Sequence, residues 1–120
     1  MPRTEPLNHV VLRGDVASTP ETRELASGSF VVQFDLSVRD PAGRRVTVPV
    51  SWDEPPPARA AEITAEVELV VVGWVRRRFF RVAGSTQSRT EVVATDVVPA
   101  RRARTAAVAV GRVVDALTDS

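Results

Sequence analysis

Along most of this chain, apolar residues alternate with polar ones instead of recurring at helical spacing. Val10, Leu12 and, past Gly14, Val16 share one parity and predict a first strand, with Gly14 at a bulge or bend. Ser18-Thr19-Pro20-Glu21 carries turn chemistry. Phe30, Val32, Phe34, Leu36 and Val38 then alternate with Val31, Gln33, Asp35 and Ser37, as a half-buried strand does. Asp40-Pro41-Ala42-Gly43 turns the chain, and Val46, Val48, Val50 and Trp52 form a third alternating run. Pro49 removes a ladder donor from that run and implies an edge or an interrupted ladder.

Pro55-Pro56-Pro57 ends the third strand, and Ala58–Thr64 predicts about two helical turns after a proline start. Residues 67–82 read as one long strand bent at Gly73. Gly84-Ser85-Thr86-Gln87-Ser88 reads as a flexible hairpin connection, and residues 89–98 alternate again, with Thr90, Val92, Ala94 and Val98 on one parity. Five strands with glycine-marked bends, and a short helix between the third and fourth, predict an all-β Greek-key barrel. Residues 1–100 make up this domain and residues 101–120 a C-terminal extension. In the extension Ala103, Ala106, Val110, Val113 and Leu117 follow the spacing of a helix seam. Gly111 and the valines lower helix propensity, and Val108, Val110, Arg112 and Val114 also alternate, so helix and strand both stand.

Composition narrows the chemistry. A chain of 120 residues suits a single core. Cysteine is absent and His9 is the only histidine, which excludes disulfides and thiolate sites and leaves little for a Ser-His-Asp arrangement or a zinc site. Neither Gly-x-Gly-x-x-Gly nor a phosphate-binding Gly-Lys-Ser/Thr occurs, which argues against nucleotide hydrolysis. The expectation is a protein with no catalytic residue, no metal and no cofactor. Asp53-Glu54 reads as a solvated loop, and Pro55-Pro56-Pro57 as a rigid connector. No apolar run approaches the ~18 residues of a membrane span. Met1-Pro2-Arg3-Thr4-Glu5-Pro6 lacks the apolar stretch of a secretion signal, so a cytoplasmic, nucleoid-associated protein is expected.

The formal net charge is only +1, yet its distribution is uneven, and all 16 cations are arginine. Residues 73–104 carry eight of them against Glu91 and Asp96, whereas residues 1–72 are net acidic. A basic third in a near-neutral chain suits a polyanionic partner. Within it, strand periodicity places Trp74, Arg76, Arg78 and Phe80 on one face. Single-stranded nucleic acid needs that combination: rings on which bases stack, and guanidiniums that neutralise phosphates at intervals. The competing interpretation makes Trp74 and Phe80 core residues and the arginines a solvated surface.

Several segments in order resemble the bacterial single-stranded DNA-binding proteins, which have an OB-fold. Asn8-His9-Val10-Val11-Leu12-Arg13-Gly14 is similar to the family's opening strand, and Pro20-Glu21-Thr22-Arg23 to its Pro-Glu-x-Arg. Gly28–Val38 resembles its second strand, Gly73–Phe80 its Gly-x-Leu-x-x-Arg-x-aromatic strand, and Arg89–Ala94 its closing strand. The likeness spans residues 7–99. It implies an OB-fold protein that binds single-stranded DNA with little sequence preference in replication, repair or recombination, assembled as a homotetramer. Arg76 and Arg78 fall on the family's phosphate-contact positions and Phe80 on a stacking position; Trp74 joins them by parity, and Arg39 and Arg45 are further candidates for phosphate. Trp52 lies on a stacking position in one alignment, and a one-residue shift makes its row core instead.

The departures carry expectations too. The family's aromatic after its second strand has no counterpart in Asp40–Arg45, and the one opening its third strand is replaced by Arg45 or Val46. With aromatics at 5% of the chain, weaker binding or a shorter site is implied. The chain ends Ala116-Leu117-Thr118-Asp119-Ser120, without the family's long linker and acidic tip, so a divergent or accessory member is expected. Two rival functions remain: an OB-fold interaction module with a decayed DNA face, and a small nucleic-acid enzyme using the acids.

Overall fold

Strand β3 (Phe30–Arg39) and strand β4 (Arg45–Asp53) pair antiparallel along their whole length, from Val31↔Asp53 to Arg39↔Arg45. Around them stand β1 (Val10–Val16), β2 (Glu21–Glu24), β5 (Glu68–Val82) and β6 (Ser85–Pro99), with helices α1 (Pro57–Ala60) and α2 (Ala103–Thr118). The computed structural model describes residues 6–118. Most of the segment read for a secretion signal, and the last two residues of the segment compared with the acidic tip, lie outside the described residues.

The strand order is β1-β5-β6-β4-β3, and β1 also pairs with β3 through Asp15↔Ser37 and Val16↔Leu36. Five strands therefore close on themselves, while β2 adds to the outer edge of β3. β4 and β6 run parallel from Val50↔Val92 to Trp52↔Ala94, and the other neighbours are antiparallel. This is an OB-fold barrel. Val32, Phe34 and Leu36 of β3, Val50 and Trp52 of β4, Leu69 and Val71 of β5, and Val92, Ala94 and Val97 of β6 fill it together with Val16 and Ile63. Each such branched or aromatic side chain contributes roughly 1.5–3 kcal/mol when fully buried.

Two glycines permit closure. A methyl group at Gly14 would overlap the Ser37 carbonyl where β3 crosses β1, and one at Gly73 would overlap the Val93 carbonyl. At Gly73 the β5–β6 register also shifts, leaving Thr95 as an extra residue on β6. That bulge corrects the expected parity of residues 89–98. Val92 and Ala94 face the barrel interior, but beyond Thr95 it is Val97 that faces inward, while Val98 turns outward beneath α2.

Three local features differ from the sequence expectation, and a fourth, the C-terminal extension left open between helix and strand, is decided. Glu21–Glu24 is a strand, not only the end of a turn, held by backbone pairing to β3 with all its residues exposed. Helix α1 is a single turn. The hairpin turns at Ala83-Gly84, and Ser85–Ser88 belongs to β6. The tail resolves as helix: Ala106, Ala109 and Val113 of α2 pack on Val70, Val72 and Val98, so Leu69–Val72 is covered on both sides. Pro49 behaves as expected, pairing with Asp35 of β3 while the β4–β6 ladder starts only at Val50.

Candidate nucleic-acid interface

Past Val72 the outward row of β5 emerges from beneath α2 and continues as Trp74, Arg76, Arg78 and Phe80. Opposite them on β6 stand Val93, Glu91, Arg89 and Gln87. Ladder pairing carries the same outer surface from Val93 to Ser51 of β4 and Gln33 of β3. The result is a groove of about 200 Å³ bordered by Arg23, Gln33, Ser51, Asp53, Arg76 and Arg78. The Asn8 side-chain amide pairs with the β5 backbone as an extra strand residue would. It donates to the Val75 carbonyl at 2.8 Å and accepts from the Val75 N–H at 2.9 Å, anchoring the strand that carries the row.

Glu91 pairs with the arginines of the row. Its carboxylate is in a residue only 3% exposed, yet Arg76 donates to it at 2.8 Å and the Arg78 Nε lies 3.7 Å away. The guanidinium of Arg76 also sits 5.8 Å from the centre of the Trp74 ring. Trp74 is half-buried and borders a second pocket with His9, Arg112 and Val113, where α2 ends its contact with the sheet. Phe80 is 36% exposed. Arg89 pairs at 3.7 Å with Asp35 on the neighbouring part of the barrel.

The four residues 74, 76, 78 and 80 thus share one open face. Trp52 does not join them. It is 5% exposed in the barrel interior, with Arg59 6.0 Å from its ring, because the Val46-Val48-Val50-Trp52 row takes the core register. The stacking alternative for Trp52 is therefore corrected to a core role. Arg39 and Arg45 are brought together elsewhere: they face each other across β3–β4 and line a separate groove with Arg13, Asp15 and Glu68. Arg39 donates to the Gly43 carbonyl at 2.9 Å and Arg45 to the Ser37 hydroxyl at 3.2 Å.

Nothing in the sequence reading marks Arg23 and Gln33 as groove residues, or Glu91 as the partner of Arg76. A signal for Glu91 was present: a two-residue turn at Ala83-Gly84 sets position 91 opposite 76, but the turn has to be placed first. Arg23 donates to the Gln33 side-chain oxygen at 3.4 Å, a contact that depends on recognising β2.

A closed five-stranded barrel bearing this groove on its outer surface is an OB-fold, a frame shared by several nucleic-acid-binding proteins. Among solved structures, the chain is similar to a Plasmodium falciparum SSB in complex with single-stranded DNA (TM-score 0.67, 18% identity, 81% of this chain and 97% of that one). It is also similar to the N-terminal domain of PriB from Thermoanaerobacter tencongensis, described as dimeric (TM-score 0.61, 17% identity, 77% of this chain and 94% of that one). No protein-family model and no curated protein sequence matches the chain.

Proposed function

We propose that this chain is a divergent member of the single-stranded DNA-binding family that holds single-stranded DNA along the outward row of β5 and the groove beside it, as a binder and not an enzyme. The observation that carries the reading is the outward row Trp74, Arg76, Arg78, Phe80 on one strand of an OB-fold barrel. Phe80 offers its ring to a base, Arg76 and Arg78 meet phosphates, and Trp74 closes the inner end of the row. Arg39 and Arg45 supply a second phosphate contact beyond the groove. Readout of this kind is tolerant of sequence, which suits replication, repair and recombination intermediates. The β1 backbone from Val10 to Arg13 has β5 on one side and no strand on the other among the described residues, an edge that supports self-association. A homotetramer is the assembly proposed.

Phe80→Ala tests the groove directly. The account expects a loss of about 1–3 kcal/mol in oligo-dT binding; unchanged affinity contradicts it. The neutralising Glu91 favours one second reading, an interaction module whose DNA face has decayed. That reading expects no oligo-dT binding even at low salt.

A further inference from the structure

Helix α2 is apolar over more of its surface than the barrel covers. Its docked stripe, Ala106, Ala109 and Val113, is buried on Val70, Val72 and Val98. Beside it runs a second stripe, Ala103, Ala107, Val110, Val114 and Leu117, at the alternating four- and three-residue spacing of a helix–helix seam. Ala103, Ala107, Val114 and Leu117 are exposed, the last two at 51% each. Val110 is half-buried and joins this stripe to the docked cluster.

The charges on the helix oppose its own dipole. Arg104 stands in the first turn, which has no acid, and Asp115 in the last, which has no base. A lone helix favours the reverse. Both side chains are exposed, and neither forms an ion pair among the described residues. About three turns separate them, so they lie on the same flank of the second stripe.

A second copy of α2, running antiparallel, answers both patterns. With Val110 and Gly111 at the crossing, Ala107 of each helix meets Val114 of the other, and Ala103 meets Leu117. Small side chains then face large ones along the seam, as dense packing requires. A two-fold axis keeps matching flanks together, so Arg104 comes beside the partner subunit's Asp115 at both ends, with the dipoles opposed. A parallel pair would set Ala103 against Ala103 and like charges side by side.

We propose that the Ala103–Leu117 stripe of α2 pairs antiparallel with the same stripe of a second copy of this chain. Together with the β1 edge it gives each chain two different two-fold contacts, the number a symmetric tetramer needs. The count of four rests on the assembly proposed above; the helix pair does not.

Sedimentation equilibrium of Val114→Glu tests it, since residue 114 is exposed and an unchanged circular dichroism spectrum verifies folding. The mass is expected to fall from four chains to two. A second measurement does not depend on disrupting the helix. The chain has no cysteine, so Ala107→Cys and Val114→Cys variants can be mixed and treated with a short thiol cross-linker. The mixed product is expected to exceed either like-with-like product.

If Val114→Glu stays at four chains, the helix pair is refuted and the tetramer stands, which leaves the stripe to a different partner. Cross-linking with no preference for the mixed product also refutes it. An unmodified protein of two chains removes the tetramer; a further fall to one chain in Val114→Glu then supports the helix pair, and no fall overturns it. A single-chain mass for the unmodified protein defeats both.

Discussion

Arg76 and Glu91 face each other across the β5–β6 ladder, with the arginine Nη2 2.8 Å from the carboxylate. Arg78 approaches the same oxygen at 3.7 Å, so two guanidiniums share one buried anion. The arrangement fixes the positions of the arginines at the cost of part of their field. Each guanidinium has five N–H donors and commits only a fraction of them to Glu91, leaving others for a phosphate or a base edge.

Glu91→Gln should release that field. The expected result is tighter oligo-dT binding at low salt and a salt slope steeper by about 0.7. Thermal stability should fall by the equivalent of about 1–3 kcal/mol, because the buried side chain loses its charge-assisted partners. An unchanged slope in a salt titration would show that Arg76 and Arg78 do not meet phosphate.

Gly73→Ala should destabilise the barrel by about 1–3 kcal/mol or more, since the obstructing atom is the Val93 backbone carbonyl and not a side chain that can rotate away. Chemical denaturation measures this. A loss below about 0.5 kcal/mol would mean the two strands separate there at little cost.

Helix α2 covers Val70, Val72 and Val98, so Val113→Asp, at a site 7% exposed, should lift its C-terminal half from the sheet. Burying an unpaired carboxylate costs far more than the docked helix regains there. Limited proteolysis within residues 103–118 should accelerate; equal cleavage rates would contradict the packing.

The Val10–Arg13 edge of β1, unpaired on one side among the described residues, predicts self-association. Sedimentation equilibrium should return the mass of four chains, and a single-chain mass would remove the homotetramer from the account.

The strands with apolar alternation, such as Phe30–Val38 and Val46–Trp52, were legible because one side of each meets the core. Strand β2 was not, because Glu21–Glu24 has no apolar residue and is held by backbone pairing alone. The outer half of the β5–β6 hairpin was missed for the same reason: Ser85-Thr86-Gln87-Ser88 has no buried side to mark it. The tail was ambiguous because Gly111 and its valines lower helix propensity while Val108, Val110, Arg112 and Val114 also alternate. The continuous run Leu69–Val72 was the available hint, since a strand apolar on both sides needs a cover outside the barrel. For the site, parity brought residues 74, 76, 78 and 80 together correctly. It left Trp52 undecided, because a one-residue slip exchanges the two faces of a strand.

The two tryptophans provide the most direct test of the groove, since Trp52 is enclosed in the barrel and Trp74 lies in the row with Arg76. Oligo-dT should quench the intrinsic fluorescence of the Trp52→Phe variant, in which Trp74 alone emits, and leave the Trp74→Phe variant nearly unchanged. Trp74 emission indifferent to saturating oligo-dT at low salt would contradict nucleic-acid binding along this row.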